Sequence, residues 1–306
     1  MISMADIDHG FLVLHKPKGI TSRRLVDQIN RLTNLKVGHT GTLDPLASGM
    51  MILCIGDATK FSQWVISSDK SYNALIQFGQ QTATDDAEGD IVAEVPTSSK
   101  IITEADLIAI LPKFTGSIIQ KPPAYSAIHI NGQRAYKLAR DNKDFEIPER
   151  TVYINNIVIQ SFDQDNQTAE LSIHCQSGTY IRSIARDLGH ALNNYAYLAD
   201  LKRTWVAPFS HKDLTEVDAI PPVISLDSFF SKHSNLPKAD LSHEEAIKLA
   251  QGKTLILQEQ NAQTSLAVFY QAHFLGIIEP IKEQPQQFKS TKLRSNILEY
   301  IHSISP

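Results

Sequence analysis

The 306-residue chain holds only two cysteines, Cys54 and Cys175, each inside an apolar run and neither in CxxC spacing. That excludes a disulfide-built scaffold and a cysteine-rich zinc module, and both are expected as buried free thiols. Its eleven histidines never fall in HxxxH or HExxH spacing, so no metal site is expected. No apolar run approaches the roughly 18 residues that a membrane-spanning helix needs. The start, MISMADIDHGFLVLHKPKG, lacks a basic opening followed by a long apolar stretch and a small-residue cleavage site. A cytoplasmic protein without membrane contact is expected. A net charge of −4 argues against a protein that coats nucleic acid indiscriminately. There is no internal repeat and no low-complexity tract.

What is present is an ordinary mixture, 42% hydrophobic and 20% charged, on a chain long enough to bury a sizeable core and to divide into one large and one small domain. Its charge is segregated. Between Gly10 and Leu43 stand Lys16, Lys18, Arg23, Arg24, Arg31 and Lys36 against Asp27 alone, and Lys113 to Arg140 carries five cations and no acid. Asp85 to Asp106 instead collects seven acids around one lysine. One basic face on a nearly neutral body follows, although a solvated face without a partner would show the same pattern.

The periodicities alternate strand and helix. Gly10 to Leu14 reads as a strand and Lys16 to Gly19 as a turn; Thr21 or Ser22 caps a helix through Leu32 with Leu25, Val26 and Ile29 inward. Ala58 to Ser67 reads as a short helix, and Ser71 to Phe78 alternates Tyr72, Ala74 and Ile76 against polar neighbours, a two-faced strand. Thr82 to Asp90 reads as an exposed acidic loop. Thr103 with Asp106 reads as a capping box for a helix ended by Pro112. Ile119 to Arg140, with Pro122-Pro123 and an Asn131-Gly132 turn, predicts a projecting basic hairpin with a short helix from Arg134 to Arg140. Strands over Val152 to Ser161 and Ala169 to Cys175 form a meander, and a helix follows from Tyr180 to Leu192. Leu198 to Phe209 is a further apolar segment. Pro221-Pro222 to about Pro237 reads as a linker or packing arm; Ser242 with Glu245 opens a second capped helix, and strands follow over Thr264 to Tyr270 and His273 to Glu279.

The chain is organised around Gly38 to Gly49, GHTGTLDPLASG, where one carboxylate, Asp44, lies between glycine-rich turns and the apolar run Met50 to Ile55. That run reads as a strand covered on both faces. Gly38, Gly41 and Gly49 allow close approaches, and Pro45 fixes the backbone after the acid. Such a loop can present one acid to a ligand. An Asp-Pro turn whose carboxylate merely caps the backbone would look the same.

The block GHTGTLDPLASGMMILCIGDATKF, together with KPKGITS (Lys16 to Ser22), Lys70-Ser71-Tyr72, KPPAYSAIHINGQRAYKLAR (Lys121 to Arg140) and SGTYIRSIARDLG (Ser177 to Gly189), resembles the TruB-type tRNA pseudouridine synthases in order and approximate spacing. Residues 10 to 210 carry the resemblance. It implies isomerisation of uridine 55 in the TΨC arm of tRNA, by a monomer needing no cofactor. It also implies an α/β (α+β) pseudouridine synthase fold: a mixed, largely antiparallel sheet with flanking helices over residues 1–235, an RNA-binding insertion at about 119–142, and a small β-rich PUA-like domain over residues 236–306.

The same resemblance implies roles for particular residues. Asp44 is the catalytic aspartate, able in principle to attack C1′ or C6 or to act as a base at C2′. Arg182 is its counter-charge, keeping it ionised against desolvation. Tyr72 and Tyr180 are pocket aromatics, and His39 helps move nucleotides out of their stack. Lys121, Arg134, Lys137 and Arg140, with Lys16 and Lys18, are candidate phosphate contacts. The family's lysine near Ile128 to Ile130 is replaced here by His129, a weaker phosphate partner. Two other classes compete with this reading: a non-catalytic tRNA-binding or RNA-chaperone protein, and a glycosidic-bond hydrolase. The second needs another carboxylate, which the motif around Asp44 does not supply.

Overall fold

The computed structural model describes residues 9–96, 101–141, 143–215, 222–257, 264–282 and 284–304. The expected cytoplasmic start before residue 9 and the beginning of the linker at Pro221 therefore lie outside the described residues.

Strand β1 (Gly10–Lys16) leads through helix α1 (Ser22–Thr33) to β2 (Val37–His39) and β3 (Ser48–Ile55). Short helix α2 (Gln63–Ile66) precedes β4 (Lys70–Phe78); β5 (Gln80–Thr82) and β6 (Ile91–Glu94) form a ribbon beyond it. Helix α3 (Glu104–Ile110) and β7 (Gly116–Gln120) follow, then the hairpin β8 (His129–Ile130) and β9 (Gln133–Arg134) with helix α4 (Ala135–Arg140). The chain continues through β10 (Arg150–Asp163), β11 (Thr168–Cys175), helix α5 (Ile181–Ala191) and β12 (Ala196–Val206) to β13 (Ile224–Ser225) and the one-turn helix α6 (Leu226–Ser228). Last come β14 (Lys238–Asp240), α7 (His243–Ala250), β15 (Leu255–Ile256), β16 (Leu266–Tyr270), β17 (His273–Ile281), β18 (Gln284–Leu293) and α8 (Ile297–Ile304).

Nine strands make one sheet in the order β13-β1-β3-β12-β4-β11-β10-β7, with β2 on β3. Every pairing is antiparallel except β3 with β12, which meet in parallel register at Ser48 with Lys202 and Gly49 with Arg203. That junction is at the middle of the sheet, directly after Asp44.

The strand covered on both faces expected at β3 and the two-faced strand expected at β4 are both observed. On β3, Met51, Leu53 and Ile55 pack beneath α1 with Leu25, Val26 and Ile29, while Met50, Ile52 and Cys54 face an aromatic cluster on the other side. Tyr72, Ala74 and Ile76 of β4 pack under Ile181, Ile184 and Leu188 of α5. Both cysteines are buried and free.

The capping expectations hold in detail. Thr21 accepts from the Arg24 N–H at the start of α1, and Thr103/Asp106 and Ser242/Glu245 close reciprocal capping boxes on α3 and α7. At the Asn131-Gly132 turn both residues adopt positive φ, 49° and 82°, as a two-residue hairpin turn requires.

The second sheet, β14-β16-β17-β18-β15, has its own core around Leu266, Val268 and Phe288. It also shares the aromatic cluster with the first sheet. Phe274 stacks on Phe230 at 3.9 Å and meets Phe61 edge-on at 5.2 Å. Phe229 and Phe230, in the stretch expected as a linker or packing arm, thus sit in the cluster between the two sheets.

Candidate active site

The loop before β3 is immobilised on three sides. Ser22 Oγ donates to the Leu43 carbonyl and accepts from the Leu43 N–H, Gly19 N–H donates to the Pro45 carbonyl at 2.7 Å, and Ala47 N–H returns to the Asp44 carbonyl. Of the three glycines expected to matter, Gly49 is the one under constraint. Its φ is +107°, and a Cβ there would lie 2.2 Å from the Arg203 carbonyl oxygen. Gly38 and Gly41 have ordinary space around them.

This loop forms one wall of a cleft of about 830 Å³ that also takes in Tyr72, Thr84, Asp86, Tyr180 and Arg182. Arg182, in the first turn of α5, is 6% exposed. Its Nε lies 3.1 Å from Asp44 Oδ2, and its terminal nitrogens donate to the Thr84 and Tyr125 carbonyls, each at 3.0 Å. Asp86 lies 3.5 Å from the same guanidinium. One arginine therefore ties together the Asp44 loop, the acidic loop and the base of the insertion.

The acidic loop corrects an expectation. Thr82 to Asp90 is not simply solvent-exposed: Asp85 and Asp86 are buried, at 6% and 3% exposure. Arg182 and Arg186 are the cause, Arg186 meeting Asp85 at 2.8 Å, because paired cations offset the cost of burying the carboxylates. Asp86 and the exposed Glu88 consequently line the cleft, so the Asp44 neighbourhood does contain further carboxylates.

Burial pushes the Asp44 carboxyl above the usual carboxylate range, Arg182 opposes this, and Asp86 reinforces it. Arg182 was expected to oppose desolvation of Asp44, and it does so without outweighing it. Desolvation is the larger effect.

Tyr72 is buried at 8% exposure, and desolvation raises its phenol. Tyr180 immediately precedes α5, and the Arg150 guanidinium lies 4.5 Å from its ring centre. His39 ends β2, just outside the cleft wall that begins at Thr40. Its Nδ1 is buried with no hydrogen-bond partner among the described residues. Burial, with Arg203 and Arg23 adding to it, lowers its pKa and favours a neutral imidazole.

The cationic candidates separate into three groups. Lys121, Arg134 and Lys137 are exposed on the insertion, and Arg140 reaches the cleft rim beside Tyr136. Lys18 is at the surface but pairs with Asp200 at 2.9 Å. Lys16 is a correction: it is fully buried, and its ammonium donates to the Pro17 and Ile20 carbonyls at 3.0 and 2.7 Å. It fastens the turn beside the Asp44 loop and is not presented to a phosphate.

Two further cations were missed as site residues. Arg203, 3% exposed, donates from Nε to the Met50 carbonyl and from a terminal nitrogen to the Gly41 carbonyl, fixing the two ends of the Asp44 loop to β12. Its signal was a charged residue two positions after Leu201 in an alternating strand, the inward register. Lys70 is buried at 7% exposure, donates to the Ile66 and Ser68 carbonyls, and is driven by burial down to about 8. Among the described residues no cluster of His, Cys, Asp and Glu is arranged to hold a metal ion, and no helix is long and apolar enough to cross a membrane.

Residues 29–181 match the family model described as TruB family pseudouridylate synthase (N terminal domain). A protein of Bartonella bacilliformis named tRNA pseudouridine synthase B is 39% identical over 92% of this chain and 96% of its own. One of the same name from Agrobacterium fabrum is 39% identical over 83% of this chain and 84% of its own. The chain belongs to the TruB family of pseudouridylate synthases.

TruB-family membership makes the protein an isomerase acting on tRNA. The fold agrees with solved structures. A Cbf5-Nop10-Gar1 complex contains a chain matching at TM-score 0.66 and 22% identity, covering 94% of this chain and 83% of the other. An archaeal box H/ACA Nop10-Cbf5 complex gives 0.64 and 21%, covering 96% and 89%. The fold class expected from sequence, a mixed and largely antiparallel sheet with a β-rich C-terminal part, is the observed one.

Proposed function

We propose that the protein converts uridine 55 in the TΨC arm of tRNA to pseudouridine, with Asp44 as the catalytic carboxylate. The observation that carries the reading is the placement of Asp44 in an aromatic-lined cleft, 3.1 Å from the buried Arg182. Isomerisation breaks the C1′–N1 bond, turns the uracil and joins C1′ to C5. N1 gains a proton and C5 loses one, so the composition is unchanged and no redox partner enters. A carboxylate fixed in this cleft can serve as the nucleophile or base that this sequence requires.

The chain's other residues have distinct tasks in this reading. Tyr72 and Tyr180 offer ring surface to a uracil withdrawn from its stack, and neutral His39 fills part of the space it leaves, offsetting an unstacking cost of about a few kcal/mol. Lys121, Arg134, Lys137 and Arg140 hold phosphates of the T arm, which positions the RNA without reading its bases. Residues 1–235 form the catalytic domain and 236–306 the PUA-like appendage of a cytoplasmic monomer.

Asp86 and Glu88 in the same cleft favour a second reading, a glycosidic-bond hydrolase, which needs a second carboxyl beside Asp44; partial desolvation with Asp86 and Asp44 nearby raises the Glu88 carboxyl. An unmodified tRNA transcript distinguishes the two. Pseudouridine without released uracil supports the isomerase, free uracil supports the hydrolase, and binding without either leaves only a tRNA-binding protein.

A further inference from the structure

The insertion leaves the main sheet at Gln120 and returns to it at Arg150, and these two residues face each other where β7 pairs with β10. Both reach the same third residue. Gln120, 1% exposed, donates from Nε2 to the Tyr180 carbonyl at 3.1 Å and accepts from the Tyr180 N–H at 2.8 Å. Arg150 lays its guanidinium 4.5 Å from the Tyr180 ring centre and donates to the carbonyl of Gly178, whose φ of +90° turns the chain into α5. Its Nε is buried with no partner among the described residues, so the ring face and the Gly178 carbonyl are what hold this side chain in place.

The attachment continues along the first turns of α5. Ser183 Oγ and an Arg186 terminal nitrogen both donate to the Lys121 carbonyl at 2.8 Å, and Arg182 donates to that of Tyr125. The pocket ring and the counter-charge of Asp44 are therefore built on a helix end bonded to the root of the segment that carries the exposed cations.

We infer that Gln120 and Arg150 are positioning residues that clamp Tyr180 in the cleft from the two stems of the insertion. Gln120 fixes the backbone from which the ring projects, using both hydrogen bonds that an amide can make to one residue. Arg150 covers the ring with a planar cation, a contact worth most where water is excluded. Neither residue acts on the uridine directly; each acts through Tyr180. The inference rests on the isomerase reading above and adds to it what holds the pocket ring in its pose.

The test is a double-mutant cycle read in two quantities, the single-turnover rate of pseudouridine formation on an unmodified tRNA transcript and the dissociation constant for that transcript. Gln120→Met and Arg150→Met should each lower the rate about tenfold or more while the dissociation constant stays within about threefold, because ring pose and RNA grip are separate. In a Tyr180→Leu background, Arg150→Met should add no more than about a twofold loss. An undiminished loss in that background overturns the clamp. So does a loss expressed as weaker binding with a smaller salt slope, which would make Arg150 a phosphate contact. Gln120→Glu keeps the acceptor for the Tyr180 N–H while removing the donor, and provides a milder variant should Gln120→Met fail to fold; a wild-type rate from it also overturns the clamp. Wild type and Asp44→Asn run alongside. An inactive wild type removes the isomerase reading itself, whereas active wild type, inactive Asp44→Asn and fully active clamp variants remove the clamp alone.

Discussion

Arg182→Met removes the group on which three loops converge. It withdraws donors from the Thr84 and Tyr125 carbonyls, and each such hydrogen bond contributes about 0.5–1.5 kcal/mol. It also leaves Asp86, whose side chain is 4% exposed, without the cation 3.5 Å away. Breaking a buried charge pair from one side costs about 3–5 kcal/mol. Asp44 adds little to that figure, because its side chain keeps 36% exposure and surface pairs are screened. Together these give a loss of about 4 kcal/mol or more in urea unfolding, with Arg182→Lys losing less. The kinetic consequence has a definite sign. Burial already raises the Asp44 carboxyl and Arg182 restrains it, so the variant's carboxyl moves higher still. The active carboxylate is then lost at a higher pH as the solution is acidified, and the acid limb of the single-turnover rate shifts upward, each unit corresponding to about 1.4 kcal/mol. A folded Arg182→Met protein whose acid limb coincides with that of wild type would refute the reasoning.

Three other outcomes follow from the same structure. Replacing Lys121, Arg134 and Lys137 together by Ala should weaken tRNA binding and reduce the slope of log K against log salt by about 2–3, measured by filter binding across a salt series; an unchanged slope removes the insertion from the RNA interface. Gly49→Ala forces a Cβ toward the Arg203 carbonyl at a positive φ, and should cost more than the roughly 1 kcal/mol typical of an average substitution, seen as a lower unfolding midpoint. Phe230→Ala empties the space stacked against Phe274 and should cost about 3–5 kcal/mol in urea unfolding, with the aromatic signal of both sheets lost in one transition.

Much of this arrangement was legible in the chain because local chemistry and fold agree. The β3 run is apolar at every position since both of its faces are covered, and β4 alternates since only one is. Capping pairs and the Asn131-Gly132 turn act within a few residues, so their spacing is sufficient to place them. The gathering of Asp44, Tyr72, Tyr180 and Arg182 was reached through motif resemblance; no periodicity brings four separate segments to one cleft. What escaped is long-range electrostatics. Asp85 and Asp86 look like a solvated acidic loop until Arg182 and Arg186 are placed opposite them, and Lys16 looks like a surface cation until its ammonium is seen capping the turn that follows it. Arg203 was hidden in an apolar strand, where one inward charge holds both ends of the Asp44 loop.

The central claim is that the Gly38–Gly49 loop is the catalytic centre and Asp44 its reacting group. Mapping modified positions by mass spectrometry, on an unmodified tRNA transcript treated with wild type or Asp44→Asn, tests it most directly. The account predicts pseudouridine at position 55 with wild type, none with Asp44→Asn, and comparable tRNA binding by both. Pseudouridine formed by Asp44→Asn would contradict it.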